Sequence, residues 1–408
     1  MTEKKKSGFE ALATKTSLYP EEKLMKVKTG KHSFFIGLPK EISLQENRIC
    51  LTPDAVALLV NNGHEVWVEA KAGIGSKFTD KQYSEAGARI VYSAQEVYKA
   101  DVILKIEPPT LEEIEMMHPN QGLISALQLG HLKSDNLQAL MKKKVTALAY
   151  EFIEDKVGGM PIIRAMSEIA GTTVLLIAAE HLSSANSGKG VILGGITGVP
   201  PTKVVIIGAG TVAEYAARAA IGLGAEVQVF DNHIYKLRRI KSMLGQQIYT
   251  STIDTLTLSR TLESADVVIG ALRAEKGRAR HVVSEDMVMR MRPDSLIIDL
   301  SIDQGGCIET SEITTLSKPV FRKHGVIHYC VPNVASRVAH TATTALSNIF
   351  TPTILRAAEE GGIEEMIFSH KWFMKGVYTY KGGLTNEPVA RKFGLKYKNI
   401  DLLLAARF

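Results

Sequence analysis

The sequence predicts an α/β protein of two domains, each a mostly parallel sheet with helices on its faces. Three observations carry this: length and composition, strand-like and helix-like segments that alternate through both halves, and an apolar helical segment between the two series. The chain has 408 residues, 45% apolar and 23% charged, enough to fill two ordinary cores. In order, residues 32–39 are rich in β-formers, 54–62 have helical periodicity, and 64–70 read again as a strand. Further strands follow at 88–92, 101–106, 122–126 and 145–150 with polar helical segments between them, an alternation that calls for parallel pairing. Residues 166–183 read as one helix that connects the domains. A second series runs from Lys203 to about Pro332, and helical residues 341–359 precede a polar tail expected to pack back on the first domain. The expected bounds are an extension over 1–33, one domain from 34–165 plus 341–408, and a second from 166–340.

Bulk properties narrow the function classes. The first 33 residues carry lysines alternating with glutamates and no apolar core of the kind a secretory signal needs. They read as a loosely ordered or helical extension. Unbroken apolar runs stop far short of the ~20 residues that span a bilayer, so no membrane span is expected. Cys50, Cys307 and Cys330 lie far apart without metal-ligand or redox spacing, which fits reduced thiols in a cytoplasmic protein and predicts no metal site. The net charge of +6 is spread among mixed signs. That pattern offers no basic stripe for a nucleic acid and mildly favours small anionic ligands.

The sharpest local signal is a glycine turn. An apolar strand from Lys203 enters Gly208-Ala209-Gly210 and then a helix whose third key position is Ala213, a GxGxxA pattern. Gly208 permits the tight turn, Gly210 lets a pyrophosphate approach the backbone N–H groups at the helix start, and Ala213 allows close helix–strand packing. Thr211 and Val212 begin that helix and join the predicted cofactor set. After a second strand comes Asp231, an acid at the spacing that holds a ribose, which favours NAD over NADP because a 2′-phosphate would be repelled. Lys236, Arg238 and Arg239 follow. They read either as further cofactor contacts, Lys236 first, or as a solvated helix face.

These residues sit within a longer likeness. The blocks GLPKEISLQENRICLTP (37–53), GHEVWVEAKAGIGS (63–76), MSEIAG (166–171), GVILGGITGVPPTKVVIIGAG (190–210), IIDLSIDQGGCIETS (297–311) and HYCVPNVASRVAHTATTALSN (328–348) resemble alanine dehydrogenase and the nucleotide-binding subunit of nicotinamide nucleotide transhydrogenase. The DQGGC block favours the first branch. The resemblance implies a substrate domain and a Rossmann domain separated by a cleft, and a homo-oligomer, hexameric or dimeric. It implies that Arg48 binds a substrate carboxylate, a task suited to a guanidinium fork that keeps its charge. It implies that Asp303 is catalytic and that Ser167, Leu272 and Asn333 also touch the cofactor.

Two catalytic positions depart from that pattern. Where the family has a substrate-holding lysine this chain has Glu107, and where it has an acid–base histidine this chain has Gln128. Lys105, two residues before Glu107 on the same face of a strand, is a candidate replacement, or else an internal ion pair or a solvated edge. Gln128 can orient a carbonyl or imine, and His131 is the nearby group that titrates near neutrality. A basic loop from Arg273 replaces an apolar one, and Arg273 reads as a receptor for a second acidic group or as a solvated residue. The expected activity is NAD-dependent oxidation of an amino acid to its oxo acid, as L-alanine to pyruvate and ammonium. The alternatives are a transhydrogenase-like subunit that presents NAD(H), and a relative that binds NAD without turnover.

Overall fold

The computed structural model describes residues 32–43, 45–129, 132–273 and 281–405. All but the last two positions of the predicted extension lie outside these residues, and so does His131. The strands of the first half are β1 Phe35–Leu38, β2 Glu65–Glu69, β3 Arg89–Val91, β4 Val102–Leu104, β5 Gly122–Ser125 and β6 Thr146–Ala149. Those of the second are β7 Lys203–Ile207, β8 Glu226–Phe230, β9 Tyr249–Ser251, β10 Val267–Gly270, β11 Leu296–Asp299, β12 Val320–Lys323 and β13 Val326–Tyr329. Near the C-terminus lie β14 Val377–Tyr380 and β15 Gly383–Leu384.

They form two sheets, ordered β15-β14-β6-β5-β4-β1-β2-β3 and β12-β13-β11-β10-β7-β8-β9. Pairing is parallel from β3 through β6 and antiparallel only at β14 and β15. In the second sheet only β12 runs antiparallel. The fold is thus the predicted two-sheet α/β arrangement. The polar tail does more than pack back, because it adds β14 and β15 to the first sheet. Every residue of β10, β11 and β13 is buried, as expected of parallel strands covered by helices on both faces.

The connecting helix spans Pro161–Leu182 and starts five residues earlier than periodicity suggested, because Pro161 occupies its first turn, where a fixed φ and a missing N–H are harmless. At 22 residues it is long and apolar enough to cross a membrane by length and composition alone, a test that a core helix also passes. It packs along the helices Thr211–Gly222 and Ala339–Glu359. Gly171 makes that packing possible: a Cβ there would stand 2.4 Å from the Val212 carbonyl oxygen and 2.8 Å from the Tyr215 Cβ.

The parallel strands of each sheet reverse their order once, between β1 and β4 in the first and between β7 and β10 in the second. Open α/β sheets bind ligands beyond the carboxyl ends of their strands at such points. Here the segments that follow β1, β4, β5 and β6 and those that follow β10, β11 and β13 contribute to one cleft.

Candidate active site

One rim of the candidate site is the turn after β7, packed against Ala271, two residues before Arg273 of the cleft wall. Gly208 has φ +114°, and a Cβ on it would lie 2.4 Å from the carbonyl oxygen of Ala271 at the end of β10. Gly210 differs. It caps the helix Thr211–Gly222 without any side-chain hydrogen bond, and a Cβ added to it would meet nothing within 4 Å. The N–H groups that open this helix, from Thr211 and Val212 onward, therefore border open space at its positive end, while Ala213 is fully buried in the packing. An uncapped helix start beside an empty glycine cradle fits a dinucleotide pyrophosphate.

Asp231 is 3% exposed. Its Oδ2 accepts from the Ala209 N–H at 2.8 Å, and its Oδ1 accepts from the His233 N–H at 2.8 Å and lies 3.0 Å from His233 Nδ1. These three contacts take up most of the about four acceptor positions of the carboxylate, so Asp231 fastens the turn. Arg239 donates to the Ala209 carbonyl at 3.2 Å, and the Lys236 ammonium lies 6.0 Å from the Tyr235 ring centroid. Leu272 accepts from the Ser301 hydroxyl at 2.8 Å, which holds the loop after β10. Ser167 lies partly buried on the connecting helix, next in sequence to Met166 of the cleft wall.

The other rim is a cavity of about 640 Å³ lined in part by Arg48, Glu107, Gln128, Arg273, Asp303 and Asn333. Glu46 and Arg48 follow β1 in extended chain, where alternate residues share a face. Arg48 Nε donates to Glu46 Oε1 at 2.8 Å, NH2 to Oε2 at 2.6 Å, and NH1 to the Met166 sulfur at 3.4 Å. Burial alone would lower the pKa of Arg48, but the Glu46 charge and hydrogen bonds raise it further above its ordinary value. Burial alone would raise the pKa of Glu46, but the Arg48 charge together with hydrogen bonds from Arg48 and Asn333 draws it below its ordinary value. The Asn333 amide donates to Glu46 Oε2 at 2.5 Å, so the amide predicted for the cofactor is engaged by the opposite domain. The Asn333 N–H lies 3.3 Å from Asp303 Oδ1.

Glu107 completes this group. Gln128, held at φ +47°, donates from its side-chain amide to Glu107 Oε2 at 2.5 Å, and Glu107 Oε1 lies 4.0 Å from Arg48 NH2. Burial, followed by the Glu46 charge, pushes the Glu107 carboxyl up to about 7. The cavity therefore carries two carboxylates around one guanidinium, with Asp303 and Arg273 elsewhere on its wall.

Lys105 is the clear correction. It is 1% exposed and absent from the cavity wall; its ammonium donates to both Glu113 oxygens at 3.0 and 3.1 Å and lies 3.4 Å from Glu41. It is an internal ion pair, since an ammonium buried this deeply needs carboxylate partners. Asp299 fastens the turn that follows β11. That buried side chain accepts from the N–H groups of Ser301, Cys307 and Ile308 and from the Ser311 hydroxyl. Asp303 lines the cavity instead. Sequence reasoning missed Glu46, Glu151 and Met166. Glu-x-Arg in an extended segment was the available signal for Glu46; Glu151, which accepts from the Leu127 and Gln128 N–H groups, offered none.

Both halves match family models, Alanine dehydrogenase/PNT N-terminal domain over residues 37–170 and Alanine dehydrogenase/PNT C-terminal domain over 174–387. The chain is 39% identical over 368 residues to alanine dehydrogenase 2 of Staphylococcus aureus, covering 90% of this chain and 98% of that protein. It is 38% identical to alanine dehydrogenase of Methanococcus maripaludis, over 89% of this chain and 97% of that one. A solved L-alanine dehydrogenase superposes with a TM-score of 0.82 at 36% identity, covering 88% of this chain and 99% of the other. The transhydrogenase of Sinorhizobium meliloti, at 24% identity, shares the fold with a TM-score of 0.74 over 86% and 99%. Matched along nearly all of its described length, the chain belongs to the alanine dehydrogenase/PNT family.

Proposed function

We propose that this protein is an NAD-dependent amino-acid dehydrogenase of the alanine dehydrogenase type, converting a small 2-amino acid to its oxo acid and ammonium. The observation that carries this reading is a single cavity joining Arg48 of the first domain to Asp303 and Asn333 of the second. The Gly208–Ala213 turn, with Thr211, Val212, Asp231, Lys236, Ser167 and Leu272 around it, is the proposed seat of the dinucleotide. When bound there, NAD supplies the acceptor for the electron pair of the substrate Cα–H bond. Arg48, preset by Glu46, holds the substrate carboxylate by a forked contact. Gln128 orients the substrate nitrogen or carbonyl, and Asp303 steers the reacting groups from the nucleotide side.

The three cysteines are buried and unpaired, in keeping with a cytoplasmic enzyme, and a homo-oligomer is the proposed assembly. The test is a panel of amino acids with NAD, and of oxo acids with ammonium and NADH, followed by the near-ultraviolet absorbance of NADH. Turnover with a small neutral amino acid is expected. No absorbance change across the panel would remove the reading.

A further inference from the structure

We propose that Glu107 is the proton-transfer group of this cleft, with Gln128 fixing one carboxyl oxygen so that the other, Oε1, exchanges protons with the substrate nitrogen. This rests on the dehydrogenase reading and adds a catalytic residue to it. The geometry is that of a zwitterion receptor. Arg48 and Glu107 lie 4.0 Å apart on one cavity wall, so a carboxylate on the guanidinium brings an α-ammonium to the carboxylate beside it. The Gln128 amide occupies Oε2, which leaves Oε1 as the oxygen turned toward Arg48.

The charges around Glu107 set its working range. Glu46 and Arg48 face it from the segment after β1, and Glu41, paired with Lys105, lies behind it. Tyr150 and Glu151 come from the turn after β6, and Arg273 and Asp303 complete the cavity wall. Glu46 is already spent on Arg48, so Glu107 is the carboxyl of that pair left to titrate, and its ordinary range is displaced toward neutrality. A base matched to the operating pH transfers protons most effectively.

The proton accounting closes. Glu107 Oε1 takes one N–H proton from the α-ammonium, which frees the nitrogen lone pair to form C=N as the Cα–H electron pair leaves for NAD. That proton passes to solvent through the cavity. Glu107 then takes a proton from the water that adds to Cα and returns it to the nitrogen. The C–N bond breaks, and the departing ammonia carries off the remaining hydroxyl proton as ammonium. One amino acid, one NAD and one water thus give one oxo acid, one ammonium, one NADH and one proton.

The test is the pH profile of kcat/KM for amino-acid oxidation in the wild type, Glu107→Gln and Glu107→Asp. The wild type should show an acidic limb near neutrality; Glu107→Gln should lose that limb and about 10²–10⁴-fold in kcat. NADH affinity, read by fluorescence, should stay within about twofold because the dinucleotide rim is untouched. Glu107→Asp should retain the limb at a reduced rate. A Glu107→Gln enzyme with the wild-type limb and a rate within about threefold of it would overturn the proposal. Should the wild type oxidise no amino acid, the dehydrogenase reading fails separately, and infrared titration reads the proton site directly. Because burial also pushes the Glu41 carboxyl up to about 7, a protonated-carboxyl band lost near neutrality that is smaller in Glu107→Gln than in the wild type supports the site; a band of undiminished size in the variant overturns it.

Discussion

The rim proposed for the dinucleotide is built chiefly from backbone, and the rim proposed for the substrate from charged side chains. On the first, Gly208, Gly210 and the start of a helix define the site by what they lack: a Cβ, a capping side chain, a neighbour. On the second, Arg48, Glu46, Glu107 and Gln128 define it by what they hold, each contact within 4.0 Å. A backbone site is fixed by conformation and tolerates few residue types. A side-chain site can be recharged while the fold stands.

The largest effect should come from Gly208→Ala. An alanine there carries the strain of a positive φ and sets its Cβ 2.4 Å from a backbone oxygen, which together cost about 4 kcal/mol or more. Urea unfolding should show the loss, and dinucleotide binding should vanish with it. Next is Lys105→Met, which strands Glu41 and Glu113 in the interior. Breaking a buried ion pair from one side costs about 3–5 kcal/mol. If this variant instead lost activity at unchanged stability, Lys105 would belong to the substrate rim after all.

Arg48→Lys comes third and separates the two rims. The ammonium keeps the charge but loses the fork that grips both Glu46 and a carboxylate, so kcat/KM should fall by about 10²-fold while NADH affinity holds. Equal loss of both would mean that the rims act as one unit. A smaller effect concerns stability and pH. The Glu107 carboxyl is raised from 4.5 to about 7 in the fold, so the folded state binds the proton more tightly than the unfolded chain does. Its contribution is complete below about pH 4.5 and is lost as pH rises through about 7. Glu107→Gln should therefore flatten the decline in stability across that window by about 1–3 kcal/mol, leaving the slope due to Glu41.

The same division explains what could be read from the sequence. Strand and helix order came through because hydrophobic periodicity is local, and the glycine turn because its spacing is. The first six strands lie within a few residues of their expected bounds. The choice among the readings of Lys105 was not legible because its partners Glu41 and Glu113 are brought to it by the fold, and only the Thr110–Glu113 capping box hints at where Glu113 turns. Asn333 and Glu46 are 287 residues apart. No local pattern announces that the amide predicted for the cofactor already has a carboxylate partner across the cleft.

The smallest expected change in stability is also the most discriminating test of the dinucleotide rim. Gly210 has φ −80° and extended ψ, which alanine adopts freely, and its added Cβ would touch no protein atom. Gly210→Ala should thus cost only about 0.5 kcal/mol, the small penalty of a poorer helix cap. The space that the methyl fills is the space through which a pyrophosphate reaches the helix N–H groups, so NADH affinity should fall by at least about tenfold, or about 1.4 kcal/mol. Gly208 and Gly210 stand two residues apart in one turn, yet the first is glycine because the protein is in the way and the second, on the proposed reading, because a ligand is. A Gly210→Ala protein that is stable and binds NADH as before would leave the second glycine without its reason and the dinucleotide rim without its ligand.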